Sequence, residues 1–165
     1  MERRRQRGVA VLMCLMMLIL VMLLGVSAAQ MSLQGEKAAR GERDREVALQ
    51  AAEDALADAE RDIQSGTAAV SACDAAPAWQ RVDLSGVEDG GACTAGFGEH
   101  TGAEMLTAEG ALPFRKPRYL VERMACHQPG EDASAVSYCY RVTVIGFGAR
   151  PGTEVVLQSV YSKPE

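Results

Sequence analysis

The residues able to do chemistry are few. They are five cysteines (Cys14, Cys73, Cys93, Cys126 and Cys139), two histidines (His100 and His127) and pairs of adjacent carboxylates such as Glu53-Asp54 and Glu88-Asp89. Zinc needs cysteines and histidines at short, repeated spacings. Here no Cys-x-x-Cys pair exists and neither histidine has a partner at ligand spacing. Cys126 and His127 are neighbours, which suits a loop histidine better than a ligand pair. No nucleophile elbow, phosphate loop or His-Glu-x-x-His motif is present. Adjacent carboxylates on a surface are ordinarily solvated, and Trp79 in Pro77-Ala78-Trp79-Gln80 reads as a loop anchor. The chain is therefore expected to be no enzyme and to need no metal or cofactor.

The elements that carry these residues divide the chain unevenly. Val9 to Ala29 is a run of 21 residues without a charge, in which Gly25 and Ser27 are the only non-hydrophobic members. At about 1.5 Å per helical residue it spans roughly 30 Å, the thickness of a bilayer's hydrocarbon core. Arg3, Arg4, Arg5 and Arg7 precede it, so the positive-inside rule leaves the N-terminus in the cytoplasm and exports the rest. The first 30 residues hold four of the 17 Lys+Arg and one of the 22 Asp+Glu, which leaves 13 cations and 21 anions, net −8, on the remainder. An acidic domain of that balance is a poor nucleic-acid binder, because such binding rests on neutralising phosphates.

Three readings of the apolar run compete. One is a plain signal anchor. Another is a secretory signal peptide cut after Ser27-Ala28-Ala29, although the run exceeds the usual apolar core of such a peptide. The third is a short basic leader, residues 1–8, ending in Gly8 at the charged-to-apolar boundary, where a cytoplasmic-face peptidase would cut before Val9. Cys14 inside the run is a small apolar filler, and Met13, Met16, Met17 and Met22 give a flexible packing surface.

Residues 30–65 lack proline and are rich in Ala, Glu, Arg, Gln and Leu, which predicts that the helix continues. Leu49, Ala52, Leu56, Ala59 and Ile63 recur at spacings of 3 and 4 and form a narrow apolar stripe to pack on a sheet. Glu53, Asp54, Asp58, Glu60, Arg61 and Asp62 are assigned to the wetter faces, and the charge run from Glu36 to Glu46 to a solvated one. Ser65-Gly66-Thr67 is the expected stop. Gly35 and Gly41 predict a soft point in a helix that, if continuous from Val9 to Ser65, would be on the order of 85 Å long.

Residues 66–165 make the head. Its 68–117 region is Gly-, Ala-, Asp- and Ser-rich and irregular, with one short element expected near Ala103–Glu109. Strands are expected at 118–124, 138–147 and 153–161 from their Tyr, Val, Ile and Thr content, with Gly148–Gly152 as the last turn. The predicted fold class is α+β: a long N-terminal helix packed on a small antiparallel sheet of about three or more strands. The four cysteines beyond the membrane run, Cys73, Cys93, Cys126 and Cys139, suit two disulfides with three possible connectivities. The sequential one is preferred, since Cys126 ends one expected strand and Cys139 begins the next.

Three stretches together resemble one family. They are Arg5-Gln6-Arg7-Gly8-Val9-Ala10-Val11-Leu12, Ala48-Leu49-Gln50-Ala51-Ala52-Glu53-Asp54-Ala55-Leu56, and Tyr140-Arg141-Val142-Thr143 with Gly146-Phe147-Gly148 and Val155-Val156-Leu157-Gln158-Ser159. The chain is similar to the PilX-type minor pilins of bacterial type IV pili, over its first 60 and last 30 residues. The resemblance implies cleavage by prepilin peptidase after Gly8 and N-methylation of Val9. It implies an inner-membrane precursor that moves into the pilus, there to prime assembly or sit at the tip. The implied partners are the membrane, other minor pilins, the major pilin and the inner-membrane assembly machinery. Major pilins carry glutamate at the fifth mature position, and Met13 stands there in this chain. Tip subunits commonly lack that glutamate, so a tip position is expected, with Val9, Met13 and Gly25 on the assembly helix. Two alternatives are a type II secretion pseudopilin and a tip adhesin that reads a ligand with residues 68–117.

Overall fold

The computed structural model describes residues 3–68, 70, 71, 73, 78–108, 110–127 and 137–163, and of residues 3–8 and 33 the backbone alone. Met1, Glu2, Pro77 and Glu109, which figured in the leader, the tryptophan loop and the short expected element, lie outside the described residues. The chain forms two compact units, Met1–Glu42 and Arg43–Glu165.

Helix α1 is assigned over Arg3–Ser65, so Gly35 and Gly41 both adopt helical backbone. In the first unit every described side chain of α1 is exposed. In the second unit the helix is buried along one face and packs on a four-stranded antiparallel sheet: an α+β fold of the pilin kind. The sheet consists of β1 (Ala95–Gly96), β2 (Arg118–Cys126), β3 (Ser137–Phe147) and β4 (Glu154–Tyr161), in the order β1-β2-β3-β4. Tyr119 faces Val144, and Val144 faces Leu157, so the inner rows align across three strands. Residues 68–117 are less irregular than expected: β1 lies within them, as does a 3-10 turn at Ala78–Gln80 that contains Trp79. Val70 also makes a parallel bridge to Val121. Residues 103–108, by contrast, have neither helix nor strand.

The buried face of α1 consists mainly of methyl groups. Ala48, Ala51, Ala52, Ala55, Ala59 and Ile63 are buried, whereas Leu49 and Leu56 are half-buried at its margins. Small side chains bring the helix backbone close to the sheet, and Gly146 of β3 shows how close. A Cβ there would stand 2.2 Å from the carbonyl oxygen of Ala48 and 2.5 Å from the amide nitrogen of Ala52. Tyr119, Val121, Val142, Val144 and Phe97 complete the core from the sheet side. The helix stops where Gly66 takes φ +79°, with the amides of Thr67 and Ala68 turned back onto the carbonyl of Asp62.

Candidate functional site

Two regions bear on function: the exposed apolar part of α1 and the contacts that set the head on the helix. In the first region Val9, Val11, Leu12, Met13 and the other large hydrophobic residues on to Val26 are each half or more exposed. So much contiguous apolar surface needs lipid or other helices around it. Among the described residues one helix, α1, is long and apolar enough to cross a membrane. Ser27 satisfies its hydroxyl inside the helix by donating to the Leu23 carbonyl at 2.9 Å. Nothing lies within 4 Å of where a Cβ on Gly25 would be, and Cys14 is a free, exposed thiol. Gly8, Val9, Met13 and Gly25 thus all lie on α1 in the first unit.

The second region corrects the charge assignment made from periodicity. Asp58 and Asp62, expected on wetter faces, are fully buried, and Asp44, expected in a solvated run, is 8% exposed. All three lie on the alanine face. Each clasps a different piece of the head. Asp44 accepts hydrogen bonds from the amides of Ala149 (2.6 Å) and Arg150 (3.1 Å) and from the Thr153 hydroxyl (2.5 Å), and so holds the β3–β4 turn. Asp58 accepts from the Gly98 amide at 2.7 Å and from the Thr101 hydroxyl. Asp62 accepts from the Tyr119 hydroxyl at 2.8 Å and the Thr67 hydroxyl at 2.5 Å, and lies 2.6 Å from His100 Nδ1. His100, in the turn that follows Gly98, is thus tied to a buried carboxylate.

These bonds compensate burial that would otherwise expel the charge. The Thr153 hydroxyl, aided by the two turn amides, holds the Asp44 carboxyl below its ordinary value. Burial pushes the Asp62 carboxyl up, and the Thr67, His100 and Tyr119 bonds outweigh it, so the net shift is downward. Burial, with Asp62 beside it, drives the Tyr119 phenol upward.

A second set of contacts fastens the 78–94 segment to β2. Arg118 donates to the Thr94 hydroxyl (2.7 Å) and carbonyl (2.5 Å) and to the Gly91 carbonyl (3.1 Å). Glu122 accepts from the Ala78 amide at 2.6 Å. Asp83 folds its own loop by accepting from the amides of Ser85, Val87 and Glu88, and its carboxyl falls to about 2. Glu88 and Asp89 are exposed, as is the Glu53-Asp54 pair. No group of three or more metal-ligating side chains occurs among the described residues.

Sequence reasoning missed Asp44, Asp58 and Asp62. A signal was present: projected at 100° per residue, they fall in line with Ala48, Ala51, Ala55 and Ala59 rather than with Glu53 or Glu60. Tyr119 and Arg118 had no sequence signal, because each acts on a residue far away in the chain, and Gly146 stood out only as part of a resembling stretch, with nothing to show what it meets.

Residues 44–163 match the family described as type IV pilus assembly protein PilX C-term, and residues 7–57 match PilX N-terminal. The chain belongs to the PilX family. No curated protein and no solved structure matches it. The PilX C-terminal match begins at Asp44, the first clasp, and runs past the end of β4. It therefore covers the whole helix-on-sheet unit and identifies a component of type IV pilus assembly. Within this PilX head two disulfides are formed. Cys73–Cys93 closes 20 residues of the irregular region and Cys126–Cys139 closes 13 residues between β2 and β3. A cavity of about 300 Å³ lies beside the first of them, with Val70, His100, Tyr119 and Val121 among its walls.

Proposed function

We propose that this pilus assembly component is a minor pilin made as a precursor, cut by prepilin peptidase after Gly8 and N-methylated on Val9. Residues 1–8 are then the leader, 9–29 the membrane and assembly helix, 30–65 its amphipathic continuation and 66–165 the head outside the cytoplasm. The observation that carries this reading is the exposed, uncharged surface of α1, which begins at Val9, directly after Gly8. Before assembly lipid covers that surface in the inner membrane; afterwards the helices of other minor pilins and of the major pilin do. Its partners on the way are the peptidase and the inner-membrane assembly machinery.

The subunit primes the filament or sits at or near its tip. Met13 supports this, since it offers no carboxylate to the terminal amine of a neighbouring subunit in an apolar setting, where an unpaired charge is costly. No catalysis is assigned to it. The experiment is mass spectrometry of the mature protein. A start at N-methylated Val9 supports the reading; an intact N-terminus, or one near Gln30, overturns it.

A further inference from the structure

We draw no further inference here: the strongest candidate, the cavity of about 300 Å³ beside the Cys73–Cys93 disulfide, with Glu99 and the Asp62-bound His100 on its wall, carries nothing, because that wall also runs through Val70, Ser71 and Cys73, next to residues outside the described ones, and nothing in the structure shows what the cavity would hold.

Discussion

Gly146→Ala tests whether the head is set on α1 by direct backbone approach. The added Cβ would lie 2.2 Å from the Ala48 carbonyl oxygen, about 1.2 Å inside the 3.4 Å of ordinary contact. The same Cβ meets the Ala52 amide at 2.5 Å and the Ala52 Cβ at 2.8 Å, so no flexible side chain can give way. Helix and strand must separate by about 1 Å, and a gap of that size forfeits a quarter to a half of the dispersion between facing atoms. Ala48, Ala51, Ala52, Ala55 and Ala59 each bury a methyl group worth about 0.8 kcal/mol, so the separation loses roughly 1–2 kcal/mol. Strain from the inserted methyl adds about 1–2 kcal/mol more. The expected total is about 3 kcal/mol, or roughly 10 °C in melting temperature for a domain of this size. Denaturant unfolding of the full chain in detergent reads it as a lower midpoint with an unchanged slope. Gly41→Ala is the control, since nothing lies within 4 Å of its Cβ position and alanine favours a helix. A loss below about 0.5 kcal/mol for Gly146→Ala, or an equal loss for Gly41→Ala, would refute the close-approach reasoning.

Acid should unfasten the clasps. The Asp44 and Asp62 carboxyls lie below their ordinary value of 3.8 in the folded chain, so their contribution is full above that pH and is lost as pH falls through the folded values. Tyr119→Phe removes one donor to buried Asp62 and should cost about 2 kcal/mol at neutral pH, with the acid limb of a stability–pH curve moved to higher pH. An acid limb that stays in place would show that the phenol does not hold that charge. Replacing Cys73 and Cys93 together by serine should lower stability by about 3 kcal/mol, given the 20-residue loop they close. A thermal melt of that variant beside the oxidised parent chain, both without reductant, checks it. Met13→Glu restores the carboxylate of a shaft subunit, and counts of surface pili should change; unchanged counts, with the subunit labelled along the shaft, would refute the tip position.

Much of this protein is determined by linear pattern alone. The uncharged run from Val9 to Ala29 defines an apolar helix by its length. The Tyr-, Val- and Ile-rich segments near 118, 138 and 154 define an antiparallel sheet, and motifs at both ends place the chain in its family. Each of these signals is local, carried by composition or by a short period. The tertiary structure decided what happens on the helix face that meets the sheet. Periodicity with leucine as the marker centred that face on Leu49 and Leu56, yet the sheet comes too close for leucine and selects the alanines, with Gly146 opposite. Asp44, Asp58 and Asp62 looked like solvent-facing charges because a carboxylate is costly to bury unless donors surround it. Thr67 apart, most of those donors, at Ala149, Arg150, Thr153, Gly98, Thr101 and Tyr119, lie 40 or more residues away along the chain. Only the folded head brings them to the helix, and so only the fold could show that these three acids hold it together.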